Sequence, residues 1–281
     1  MFFQAALLVG YLYAHWSVQK LGLKRQPVVH GVLVLLPLAV LPFALPGWAG
    51  SELSPIVNIV AVLTVTVGAP FLVLATSGPL LQRWFAATKQ PHAKQPYFLY
   101  AASNLGSFLA LLAYPFAAEP LLSLGDQTRL WAAGYGLFAL LTIACIVRFR
   151  REPQAPAAKL KPTMTTPWHT RLAWLLLAAL PSSLLLSVTG FVTTDVAAIP
   201  LLWVVPLALY LLTFVVAFGV RDAGKLSREL GLWTAAAVTA FAVLTVLPKG
   251  LESGYMIAAS IIMFSVVALA AHARLSAGRP E

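Results

Sequence analysis

Ser103, Asn104 and Ser107 fall in the middle third of PYFLYAASNLGSFLALLAYPF (residues 96–116), an otherwise apolar stretch. An amide surrounded by hydrocarbon costs free energy until its donors and acceptor find partners. Two uses of Asn104 are open. One is an interhelical hydrogen bond worth roughly 0.5–2 kcal/mol; the other is a polar wall for a substrate cavity, shared with Ser103 and Ser107. Counted from Pro96 at 1.5 Å per residue, Asn104 lies about 12 Å along a helix. Ala102, Gly106 and Ala110 form a small-xxx-small stripe on that helix, where a neighbour can approach closely. Asp195 ends VTTDVAAIP. It either caps the next helix, with Thr193 and Thr194 as competitors, or presents a carboxylate to a cationic substrate, with Trp203 offering a cation–π face two turns further on. Glu119, just before Pro120, reads as a solvated rim charge, with a lesser role beside Asp195 left open.

Other chemistries lack their residues. The 5 histidines (His15, His30, His92, His169 and His272) show no HExxH-type spacing, and Cys145 is the sole cysteine. Neither a zinc site nor a disulfide is expected. The nearest glycine pair, Gly134 and Gly136, sits within an apolar stretch with no strand before it, so no nucleotide-cradling turn is expected. No metal and no cofactor is therefore assigned.

The elements that must position these residues follow from hydropathy. Of 281 residues 60% are hydrophobic and only 10% are charged, far fewer than the quarter or so usual in soluble domains. Nine stretches are long enough to cross a bilayer: about 2–18, 28–46, 55–78, 96–118, 128–148, 171–190, 197–220, 230–247 and 254–272. The reading is an all-α polytopic transmembrane bundle. It has a first group of five spans over 1–148 and a Pro- and Lys-rich cytoplasmic linker over 149–170. A second group of four spans and a short tail fills 171–281. The segment SGPLLQRWFAATK (77–89) places Leu80, Leu81, Trp84, Phe85 and Thr88 on one face. It reads as a short helix lying in the cytoplasmic interface, with Ser77 as its cap, Pro79 in its first turn, and Trp84 and Arg83 anchoring it among headgroups.

The net charge of +10 is explained by topology better than by nucleic acid, which is not expected as a partner. Seventeen of the 19 Lys and Arg residues fall in alternate loops and the tail: 20–25, 83–94, 148–171, 221–228 and 274–279. Only Arg129 and Lys249 fall in the others. By the positive-inside rule the former loops and the C-terminus face the cytoplasm and the N-terminus faces outward. Residues 1–18 have neither a basic leader nor an A-x-A cleavage site, so they read as a membrane helix whose predecessor is missing.

Several segments carry a resemblance: FFQAALLVGYLYAH (2–15), ATSGPLLQRWFA (75–86), PYFLYAASNLGSFLALLAYPF (96–116), GYGLFALL (134–141), LPSSLLLSVTGFVTTDVAAIPLLWVVPLALYLLTF (180–214) and, more weakly, AAHARL (270–275). In this order they resemble the membrane region of the fused MFS/spermidine-synthase-like bacterial proteins. The resemblance implies an MFS-transporter-like bundle in the bacterial inner membrane. Relative to that family the chain reads as the internal membrane module, without its first helix and its C-terminal synthase domain. Around His272 it has Ala271, Ala273 and Arg274 where the family usually has Cys-His-Gly-Glu. The implied function is transporter-like handling of a polyamine-like or other small metabolite. The alternatives are a membrane anchor for a separate cytoplasmic synthase-like chain, or an inactive fragment. Partners would be lipid and either that enzyme chain or the missing helices. No aminopropyltransferase activity is expected of the chain alone. Its longest loop, 149–170, is too short for the strand–turn–helix unit of about 30 residues that the cosubstrate needs.

Overall fold

The computed structural model describes residues 2–47, 54–91, 93, 96–152, 167–195, 203–246 and 253–278, with the side chains of Thr194, Asp195 and Ser253 also outside the description. Among the described residues there are helices and turns and no strand. Eight helical elements follow one another: α1 (Phe2–Leu35), α2 (Pro55–Ala86), α3 (Phe98–Leu121), α4 (Leu124–Arg151), α5 (Trp168–Asp195), α6 (Val204–Gly219), α7 (Ala223–Val246) and α8 (Ser253–Ala277). Six of them, α2 to α5, α7 and α8, contain a stretch long and apolar enough to cross a membrane. Large apolar side chains stay exposed along these helices, among them Ile56, Leu137, Leu186, Trp233 and Val246. Water would not tolerate such continuous apolar surface, and lipid solvates it. The chain is a multi-pass membrane protein.

α1 is not one rod. Gly22 adopts φ 65°, ψ 173°, a backbone conformation that a side chain would strain. Tyr13 and His30 lie either side of it, 17 positions apart, or about 25 Å along a straight helix. Their ring centroids are 6.2 Å apart. The chain therefore folds back at Gly22 and the two arms run side by side. Lys20, Lys24 and Arg25 cluster at the fold. Pro27 lies inside the returning arm, five residues past Gly22, and withholds one N–H from the helical ladder.

The interfacial helix expected over 77–89 does not form. α2 runs through that segment without a break to Ala86, so Ser77 is an interior residue and not a cap. Trp84 is 2% exposed, too deep to sit among headgroups. The apolar face of Leu80 and Trp84 has α1 and α4 to pack on, and burial there outcompetes the interface. Prolines disturb the helices: π turns at Thr64–Gly68 and Tyr114–Ala118 adjoin or contain Pro70 and Pro115, which cannot complete a regular hydrogen-bond ladder.

By contacts the chain forms two compact units, Met1–Pro96 with Leu121–Ala158, and Tyr97–Pro120 with Lys159–Glu281. In the first, α1 packs on α2 and α4. Its core gathers Ala14, Leu80, Trp84, Ile146 and Phe149. Gly31 allows the close approach to α4, since a Cβ there would meet the Cδ1 atoms of Ile143 and Ile146 at 3.2 Å. The Tyr135 hydroxyl donates to the Val34 carbonyl at 3.0 Å and ties α4 to the end of α1. In the second unit α8 is central and packs on α5, α6 and α7, while α3 packs on α6. Val188, Val192, Phe264 and Ala268 form its core.

Candidate functional site

Most hydroxyls inside the helices solve their solvation problem alone, by donating to a carbonyl three or four residues back. Ser187 to Ser183, Thr193 to Thr189 and Ser265 to Ile261 are examples, at 3.0, 2.8 and 2.7 Å. Asn104 does the same: its Nδ2 donates to the Tyr100 carbonyl at 2.9 Å, and the side chain is half-buried. Ser103 and Ser107 are exposed. So are Ala102, Gly106 and Ala110, and a Cβ built at Gly106 meets nothing within 4 Å. The small-residue stripe is thus open surface and not a helix crossing. Glu119 and Trp203 are exposed, Trp203 in the turn that opens α6. Asp195 is the last residue of α5, and Trp203 holds the N-cap position of α6, which begins at Val204. The side chain of Asp195 lies outside the described residues.

Two buried histidines, one in each unit, are polar groups of a different kind. His30, on the returning arm of α1, has no exposed surface. Its Nε2 lies 3.0 Å from the Ser77 hydroxyl on α2. That hydroxyl already donates its hydrogen to the Val73 carbonyl at 2.7 Å. Ser77 must therefore accept, His30 must carry its proton on Nε2, and Nδ1 is left as a bare acceptor. This atom has no partner, although it is buried. Close by, the Trp84 indole N–H donates to Gln26 Oε1 at 2.7 Å, and the buried Tyr13 hydroxyl faces the side chains of Ser17 and Gln26. Trp84 also places its ring 5.8 Å from that of His30, edge to face. Tyr13, His30 and Thr76 border a cavity of about 290 Å³ with Val9, Leu36, Pro37, Ala69 and Leu72, and the surface it exposes is almost wholly apolar. Gly10 lets α1 and α2 close around it: a Cβ there would meet Ala75 Cβ at 3.2 Å and Thr76 Cγ2 at 3.3 Å.

The second unit repeats the logic with other residues. His272 on α8 is fully buried. Its Nδ1 lies 2.9 Å from the Thr213 hydroxyl of α6, which donates to the Tyr210 carbonyl at 2.7 Å. Thr213 accepts, so the proton is on Nδ1 and Nε2 is the bare, unpartnered atom. The imidazole stacks on Phe214 at 3.7 Å between centroids, and Tyr210 meets it edge-on at 5.2 Å. The Tyr210 hydroxyl contacts Ser182 Oγ on α5 at 3.1 Å. Since Ser182 donates to the Ala178 carbonyl, Tyr210 is the donor.

Neither histidine stands out by local spacing, because the hydroxyl partners are 47 and 59 positions away. The available signal is thermodynamic: an imidazole inside an apolar stretch needs a partner somewhere. No family model, curated protein or solved structure matches this chain.

Proposed function

We propose that the chain is a nine-crossing, MFS-transporter-like membrane module that handles a small metabolite, akin to the membrane region of the fused MFS/spermidine-synthase-like proteins. Its N-terminus lies outside and its C-terminus in the cytoplasm of a bacterial inner membrane. Three features support the count of nine. The arms of α1 on either side of Gly22 supply two crossings, with their basic turn on the cytoplasmic side. The apolar α6, shorter than the six long spans, supplies the third.

The observation that carries the handling of a metabolite is the apolar cavity of about 290 Å³ between the arms of α1 and α2, with the buried His30 and Tyr13 behind its wall. Burying an acceptor without a partner is costly, and a mere anchor gains nothing from it. Among the described residues no carboxylate lines that cavity, which favours a weakly charged metabolite over a polyamine there. A second reading, an anchor for a separate synthase-like chain, draws support from α7, which packs on α8 but whose most apolar window contains no buried residue, leaving its outer face for lipid or a partner. In either case the chain alone should not transfer aminopropyl groups.

Proteoliposomes test the proposal. The purified chain is expected to move labelled small metabolites, with putrescine as the charged comparison, faster than protein-free vesicles. Flux that matches protein-free vesicles for every compound would overturn transport and leave the anchor.

A further inference from the structure

We propose that the basic end of the first unit is a binding site for an anionic bilayer lipid whose headgroup carries two phosphates, of the cardiolipin type. The proposal rests on the multi-pass membrane reading of the chain, but not on transport. Three helix ends meet there. Leu23, beside the fold at Gly22, and Ala87, just past α2, pack on a core that includes Trp84 and Phe149. The Trp84 and Phe149 rings stack at 6.2 Å between centroids. Gln90 Nε2 donates to Glu152 Oε1 at 3.3 Å and joins the segment after α2 to the end of α4.

Exposed basic side chains flank this core on every element. Lys20, Lys24 and Arg25 are on the turn of α1, and Arg83 and Lys89 are at and just past the end of α2. Arg148, Arg150 and Arg151 close α4. Two carboxylates fall among the described residues of the unit, and one of them, Asp126, lies at the far end of α4. The other, Glu152, is already paired with Arg148 at 3.1 Å. The remaining seven cations make no ion pair among the described residues. Such an excess does not recur at the basic stretch 221–229 of the second unit, where Asp222 and Glu229 are interleaved with three cations and Lys225 lies 3.9 Å from Glu229. Like charges this dense repel one another at physiological salt, and a multivalent anion relieves the repulsion. Seven cations on three helix ends exceed what one phosphate neutralises, hence a headgroup with two. The source is a lipid because the cations border exposed apolar surface: Trp16 lies one helical turn before Lys20, Val28 and Val29 follow Arg25, and Val147 precedes Arg148. Phosphates can sit on the basic rim while acyl chains cover the apolar flank below it.

The test uses the full chain in neutral detergent, with tetraoleoyl cardiolipin, dioleoyl phosphatidylglycerol and dioleoyl phosphatidylcholine as probes. Bound lipid is counted by native mass spectrometry, and unfolding midpoints are read in parallel. Cardiolipin is expected to bind saturably, at least about tenfold more tightly than phosphatidylcholine, with phosphatidylglycerol between them. Arg25→Gln with Arg150→Gln should weaken cardiolipin binding by about tenfold or more, at roughly fivefold for each basic residue lost. Lys89→Gln with Arg151→Gln should do the same, and keeps the test valid should the first pair fail to fold. Arg221→Gln with Arg228→Gln removes as much charge from the second unit and should leave binding within about twofold. Equal affinity for the three lipids, or equal losses from all three pairs, would overturn the proposal. Pyrophosphate that stabilises the chain as much as cardiolipin would overturn it too, and assign the basic end to a soluble anion. A chain that stays monodisperse without detergent would instead refute the membrane reading on which the proposal rests.

Discussion

Trp84 and Asn104 show how differently two polar side chains in apolar helices can be solvated. Trp84 donates to Gln26 across a helix contact with both groups buried. Asn104 turns back on the Tyr100 carbonyl of its own helix. Removing the indole N–H strands the Gln26 oxygen, so Trp84→Phe should lower stability by about 1–3 kcal/mol. Gln26→Leu in the same chain should recover part of that loss, because both partners are then gone. Thermal unfolding in detergent reads both effects, and an unchanged midpoint for Trp84→Phe refutes the buried pair. Asn104→Leu should insert and unfold like the parent, since the vacated carbonyl keeps its helical bond; a marked loss of folded yield would show that Asn104 serves another helix. The sequence makes Asn104 conspicuous and hides His30 and His272. An amide flanked by serines is visible at short range, whereas each histidine's partner is brought in only by packing.

At the scale of elements, apolar length was enough to find the long helices, because a bilayer sets a minimum that few other structures share. Helix ends and faces were harder to read. The pattern of Leu80, Trp84 and their neighbours suits a membrane interface as well as a buried helix contact, and only the presence of α1 and α4 decides between them. The stripe of Ala102, Gly106 and Ala110 permits a close crossing without requiring one, and here it is open. The fold at Gly22 gives a sharper prediction. Gly22→Val forces a β-branched residue into a positive φ and should destabilise by roughly 1–2 kcal/mol or more. Gly134 is helical, and a Cβ there meets nothing within 4 Å. Gly134→Ala should therefore be neutral or stabilise by up to about 1 kcal/mol. If the two substitutions shift the unfolding midpoint equally, the fold-back is not held by Gly22.

For the whole molecule, seventeen basic residues in alternate loops against two in the others predict the orientation. A thiol reporter at Leu160→Cys in a Cys145→Ala background should react with an impermeant maleimide only in inverted vesicles. Labelling from intact cells would reverse the topology. The pairing of distant segments was not legible in the same way: α3 follows the loop after α2 yet packs on α6, more than 80 positions later. Hydropathy orders helices along the chain and says nothing about which ones meet. The hairpin of α1 also bears on how the chain enters the bilayer. Its returning arm carries Gln26 and His30, and a translocon offered that arm alone would be asked to release two bare polar side chains into lipid. The preceding arm and a turn bearing Lys20, Lys24 and Arg25 emerge from the ribosome first. The two arms are thus suited to partition as one unit, with the cationic turn held out of the hydrocarbon and Gln26 and His30 shielded by Tyr13 until α2 arrives with Ser77 and Trp84.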